Sequence, residues 1–448
     1  MLKSLVLLVC LGLGGSCCLA QEAVPYTPDE PGYHVGTLEL ARFCLQSNLI
    51  SQGRALRAEV LKGSKDDTER QAAEKLAHDF DLAKPDVYTA KVWGDYLDRR
   101  EALQARRAES AWQALGKAGA RHALSHDPGH AEARKAYGHE FLEGVGWLEP
   151  KEAQRLRPFV ASIKDAPKDN PRKATWLEPY VVVGEHFTLV SDLPWWRVLR
   201  YVRLLDRYYE VFFEIAGEFI PKRKSINLIW CCAKADDFIA LSKIVEFPMT
   251  AEHEGAYLRW HGYSIINAQR ADEVGKLNKA KDNLARTLFH ECTHRLAEIG
   301  ICGRTTAMEA WGNYMEAHGW IVEAIAVIFE NLDIKDKGYT LASLEAQRTH
   351  CLGRMKRAGT APQLATLFKQ NTSEFGASQP YAVADKYAVA GSIAWYCLFA
   401  KKDSYRAAFF GLLIDQYRSD SSARTFEQRF GQSLEDFENG WKAYALGK

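Results

Sequence analysis

The chain has 448 residues, 47% of them hydrophobic and 26% charged, with a formal net charge of +1. That balance excludes a disordered chain, and the length exceeds one ordinary core, so two or three domains are expected. Near-neutral charge, without a basic tract interleaved with aromatics, excludes nucleic acid as an expected partner.

At the start of the chain, Lys3 precedes an apolar run from Leu5 to Leu13, then small residues and Cys18-Leu19-Ala20. A positive start, a short hydrophobic stretch and a small-x-small ending read as a secretory signal peptide over residues 1–20. The run is too short to span a bilayer, and no later stretch reaches the ~18 apolar residues a membrane helix needs. A periplasmic or secreted location is expected, with no integral membrane segment after signal removal. Cys17 or Cys18 offers a lipid anchor as the alternative, which Gly14 disfavours. The later cysteines, Cys44, Cys231, Cys232, Cys292, Cys302, Cys351 and Cys397, are odd in number and irregular in spacing. They read as buried thiols and not as a disulfide framework, with one bridge through Cys302 left open.

Residues 21–160 are expected to form a helical N-terminal region. Leu38, Leu40, Ala41 and Cys44 recur at helical spacing, and helical texture continues to about residue 148. Asp127-Pro128-Gly129-His130 breaks one such stretch. Helix, turn and helix suggest either degenerate helical-hairpin repeats or a non-repetitive helical subdomain. Repeat surfaces commonly bind proteins, so this region could grip a protein partner. Pro158, Pro167 and Pro171 among many charges mark a linker near 161–173.

From residue 178 to 448 the texture is that of a second domain. Tyr180–Val183 and His186–Val190 suggest short strands. An amphipathic helix spans Trp195–Ala216, a buried strand Ile226–Cys232, and a hairpin Gly255–Asn267 turning near His261-Gly262. Helical pattern dominates from Lys281 onward. Strands followed by helices make this an α+β unit.

Residues 289–296 contain His-Glu-x-x-His. On a helix, His290 and His294 lie four apart on one face and can direct two imidazoles at one ion. Zinc suits neutral imidazole nitrogens. Glu291 borders the same position, where a carboxylate can serve as general base. The apolar stripe Leu284, Leu288, Cys292 and Leu296 points nearly opposite to the histidines, so these face either solvent or a cleft. The segment 320–329 then carries one charge, Glu323, among nine apolar residues. A helix apolar all round is buried, and a buried carboxylate must be protonated, paired or bound to metal. Glu323 is therefore the expected third ligand, with a buried Arg or Lys partner as the competing explanation.

The segments Thr287–Leu296 and Gly319–Glu330 resemble the peptidase-MA-like family, a bacterial branch of the gluzincin metallopeptidases. Similarity extends over about residues 178–446, including His186–Pro194, Gly255–Tyr257, Tyr387–Phe399 and the ending from Phe430 through Tyr444. The resemblance implies a thermolysin-like zincin domain, a glutamate third ligand and peptide or protein substrates. It also implies an oxyanion donor downstream of the metal helices, for which Tyr387 and Tyr381 are the options by position and Tyr387 the preferred one. The family usually has Glu-Gly where Glu323-Ala324 stands, and a tyrosine where Ile328 stands, so cleft lining differs.

The short run near Gly255–Trp260 could pair with an extended peptide by strand addition. His253, His261 and His318 read as structural or surface residues, and Glu298 lacks the setting of Glu323. Glu330 either supports the site from behind or ends its helix in solvent. Two functions follow: an exported zinc-dependent peptidase using Glu291 as base, or a catalytically inactive peptidase-like scaffold acting through its helical region.

Overall fold

Amphipathic spacing in the first third folds as α1 (Val35–Gln46), α2 (Ile50–Gly63), α3 (Asp67–Leu82) and α4 (Ala90–Leu115), then the short α5 (Ala120–His126) and α6 (Ala131–Ala136). This computed structural model describes residues 33–447 apart from 83–88, 163–172, 260, 279–281, 304–318, 331, 336, 342–348, 359, 379 and 419–425. The expected signal peptide, most of the expected linker, and His318 lie outside the described residues. The break between α5 and α6 is built by Asp127, whose Oδ1 accepts the Gly129 N–H at 2.8 Å, and by Arg134, which donates to the Pro128 carbonyl at 2.7 Å.

Helical texture does not continue to residue 148. Glu140–Leu142 (β1) and Gly146–Leu148 (β2) pair as an antiparallel hairpin. Gly144 and Gly146 take φ of 75° and 107° there, a region costly for residues with a Cβ. After α7 (Pro150–Leu156) comes β3 (Val160–Ser162), which joins the main sheet and takes up the first residues of the expected linker.

That sheet has six strands in the order β3-β4-β5-β6-β8-β7. Its other members are β4 (Tyr180–Val183), β5 (Phe187–Ser191), β6 (Asn227–Cys232), β7 (Gly255–Leu258) and β8 (Tyr263–Asn267). β5, β6 and β8 run parallel to their neighbours in that series, whereas β7 returns antiparallel to β8 at the edge. Alternation sorts the faces. Val182, Leu189, Ile229, Cys231 and Ile266 face the larger core with α8 (Trp195–Ala216). Val181, Val190, Trp230, Cys232 and Ile265 face Phe238 and Leu241 of α9 (Ala235–Ile244) and Leu156 of α7.

Helices complete the chain: α10 (Ala268–Asn278), α11 (Asn283–Cys302), α12 (Gly319–Glu330), α13 (Thr349–Ala358), α14 (Val383–Trp395), α15 (Lys402–Arg418) and α16 (Leu434–Leu446). A two-stranded hairpin, β9 (Leu332–Ile334) with β10 (Tyr339–Leu341), follows α12. The class is α+β. Leu38, Trp93 and Leu97 belong to the same buried cluster as Leu296, Ile301 and Trp441, so one core runs from α1 to α16.

Cys44, Cys231, Cys232, Cys292, Cys302 and Cys397 are buried and outside any disulfide among the described residues. Cys302 donates to the Tyr417 carbonyl at 3.3 Å instead of forming a bridge; the Cys351 side chain lies outside the described residues. No described helix is long and apolar enough to cross a membrane.

Candidate metal centre

Helix α11 carries the two histidines and is fixed at both ends. Its N-cap, Asp282, accepts the Ala285 N–H at 3.0 Å and the Tyr201 hydroxyl at 3.1 Å, and pairs with Arg200. At the C-terminus, the Trp93 indole of α4 donates to the Ile301 carbonyl at 2.7 Å. Tyr208 of α8 meets Thr293 at 2.6 Å in the buried middle. Rigid anchoring matters because a metal site tolerates little displacement of its ligands.

On this frame the His290 Nε2 lies 3.2 Å from the His294 Nε2 and 3.0 Å from the Glu323 Oε2 of α12, and His294 Nε2 lies 3.6 Å from that same oxygen. Four-coordinate zinc with donors at about 2.0–2.1 Å requires donor–donor edges of about 3.3 Å. The triangle has that size. Its three atoms all present lone pairs when both imidazoles are neutral Nδ1–H tautomers, so facing one another they then require a shared proton or a cation. Among the described residues this is the one group of three that can hold a metal. Each of the three residues is buried, with 7–9% of its surface exposed.

Glu323 has no Arg or Lys partner among the described residues; its ion pairs are with His290 and His294. Burial pushes its carboxyl pKa up, and the two imidazoles reverse this to a net lowering. His290 shows the complement. Burial opposes its charge, but hydrogen bonds with Glu323 and Glu330 carry its pKa well above the ordinary value. Both shifts favour a proton held between the imidazoles and the Glu323 carboxylate, with which a metal ion bound there would compete.

Glu330 proves to be part of the site. Its Oε1 lies 3.0 Å from His290 Nδ1, and its Oε2 accepts from Arg286 at 3.3 Å. A carboxylate behind a ligating imidazole fixes the ring and its tautomer. No corresponding partner reaches His294 Nδ1 among the described residues.

Glu291 stands apart from the ligand triangle. Burial raises its carboxyl pKa, the imidazoles of His290 and His294 oppose this, and the Tyr257 backbone N–H donates to it. Tyr257 belongs to the edge strand β7. The Tyr387 ring of α14 lies 6.1 Å from the His290 ring at 25°, half-buried beside the site. Tyr381 is elsewhere, accepting the Gln363 N–H at 3.3 Å.

The weaker candidates have structural partners. Glu298 is buried at 2% exposure and engages Arg259 and the Tyr257 hydroxyl. His253 turns back on Thr250, and His261 meets the Val245 carbonyl at 3.2 Å. The two contacts least visible in the sequence are that from β7 to Glu291 and that from Glu330 to His290. No short-range spacing encodes the first, and the second was masked by the position of Glu330 at a helix end.

No family model matches the chain, and no curated protein or solved structure matches it.

Proposed function

We propose that this protein is an exported zinc-dependent metallopeptidase with a thermolysin-like zincin domain. The observation that carries this reading is the convergence of His290 Nε2, His294 Nε2 and Glu323 Oε2 beside a separate buried carboxylate, Glu291. Ligand and base are then different residues, as hydrolysis needs. Zinc, when bound, supplies Lewis acidity that polarises a carbonyl and acidifies water.

The chain's own groups do the rest. Glu291 takes a proton from the attacking water and passes it to the leaving amine. Glu330 holds the His290 ring so that Nε2 faces inward. Tyr387, next to His290, is the donor proposed for the developing oxyanion. β7, the edge strand of the sheet among the described residues, offers backbone groups to an extended peptide. Residues 1–20 would direct export to the periplasm or beyond.

The test compares wild type with Glu291→Gln on casein and a peptide library, with zinc measured by elemental analysis. Cleavage by wild type, and its loss in a variant that keeps zinc, is the expected result. Absence of cleavage by both proteins would favour the inactive scaffold acting through its helical region.

A further inference from the structure

One charged group beside the candidate cleft has no role in the proposed chemistry. Glu254 immediately precedes β7, and its Oε2 accepts from Asn283 Nδ2 at 2.6 Å and from Thr287 Oγ1 at 3.0 Å. Both donors lie on α11. Asn283, Thr287, His290, Glu291 and His294 follow the i, i+4, i+7, i+8, i+11 spacing of a single helical face. Glu254 is thus fixed over the stripe that carries the proposed ligands and base, its anchors lying about one turn (Thr287) and two turns (Asn283) from His290 and Glu291, ~5 and ~11 Å along the axis.

Two donors lock one oxygen of this carboxylate. Its other oxygen, Oε1, has no protein donor among the described residues, and no Arg or Lys there forms an ion pair with Glu254. Among the described residues, Arg270 pairs with Glu252 and Glu273, and Arg286 pairs with Glu330 and donates to Asn283. Glu254 is half-buried, so its carboxylate is partly desolvated.

The register of β7 gives that oxygen a target. The Glu254 carbonyl accepts from Asn267 N–H at 2.8 Å, which makes this pair hydrogen-bonded. Alternation along an antiparallel ladder then turns the backbone groups of Gly255 and Tyr257 away from β8. The Tyr257 N–H meets Glu291. An extended chain laid on this edge would place its reacting bond near Tyr257, and Glu254 lies three residues earlier, at most about 10 Å along the strand.

We propose that Glu254 is a specificity-determining residue that recognises a basic side chain, Arg or Lys, two or three residues from the scissile bond of a strand-bound peptide. This rests on the peptidase reading for the identity of the reacting bond, but the recognition itself is measurable without turnover. The probes are paired fluorescent decapeptides that differ only in arginine or neutral citrulline at the scanned position. Their binding to the full chain carrying Glu291→Gln is followed by anisotropy.

Arginine should bind about tenfold more tightly than citrulline at one position, the scale of one charge-assisted hydrogen bond. Glu254→Gln in the same background should reduce that preference to within about twofold, and Glu254→Asp should restore part of it. Should the glutamine variant fail to fold, the salt dependence of the preference in the parent is the second measurement. A preference unchanged between low and high salt overturns the proposal, as does its survival in Glu254→Gln or its absence in the parent. If wild type cleaves the library and arginine brings no advantage, Glu254 fails and the peptidase reading stands. If wild type cleaves nothing while the Glu254-dependent preference persists, the peptidase reading fails and basic-peptide recognition stands. With neither binding nor cleavage, both fall.

Discussion

Glu323 and Glu330 sit seven residues apart on α12, two helical turns, and so project from one face. Both address His290, one at Nε2 and the other at Nδ1. The imidazole is clamped between a ligand and a support on the same rigid element. Glu330→Gln keeps the shape and removes the charge, and zinc affinity should fall about 10- to 100-fold. Competition titration with a chelating indicator measures it; an unchanged affinity would reduce Glu330 to a partner of Arg286. Glu323→Ala should cost more, with zinc lost on dialysis, since it removes a donor and leaves two imidazoles without their charge partner. Elemental analysis showing full zinc occupancy would remove Glu323 from the site. At this scale the sequence was readable wherever chemistry is local or isolated. His290, Glu291 and His294 announce themselves by spacing, and Glu323 by being a charge in an apolar helix. Glu254 and Glu330 act through contacts 29 to 44 residues away in the chain, which no local pattern encodes.

Among elements, α12 depends on α14 lying almost against it. A Cβ on Gly391 would fall 2.4 Å from Val327 Cγ1, closer than real contacts permit. The absent side chain lets the Tyr387 helix and the Glu323 helix share their buried faces. Gly391→Val should push them apart and lower stability by roughly 1–3 kcal/mol. The same shift should weaken zinc binding, although neither residue touches the metal. Urea denaturation and zinc titration on one preparation test both; lost stability with normal zinc affinity would show that the helices separate without moving the ligand. The amphipathic α8 is set by a periodicity long enough to be unambiguous, and its observed bounds, Trp195–Ala216, match the sequence reading. β4, β5 and β6 were legible as apolar runs bounded by turn residues. β3 was not, because three residues that become a strand only beside β4 look like part of a proline-rich linker. β1 and β2 were hidden by flanking helical texture, with the glycines at 144 and 146 as the signal against it.

Across the whole molecule, the helical first third and the part that carries the His290, His294 and Glu323 cluster are not joined by a bare tether. Trp93 of α4 is buried at 1% exposure and caps α11, while Arg223 beyond α8 pairs with Asp98 and Glu101 of α4. The Glu101 carboxylate also reaches Gly303 at the end of α11, where a Cβ would sit 2.7 Å from its Oε1. A fragment starting at residue 178 would strip the cover from Ile301 and the apolar face behind His294. We expect it to be insoluble or to show no cooperative melting transition, whereas the full chain melts cooperatively. A soluble, cooperatively melting fragment would show instead that the helical region is an accessory. Removing metal should do much less. The ligand helices are packed by apolar contacts that zinc does not make, so bound metal adds only the linkage contribution, about 4 kcal/mol when free zinc stands near a thousand times its dissociation constant. Chelation should therefore lower the melting temperature and leave the far-ultraviolet circular dichroism of the folded baseline unchanged. Collapse of that signal on chelation at 25 °C would mean that zinc, and not the shared core, holds α11 against α12. The two perturbations together separate a site carried by the fold from a fold carried by its site.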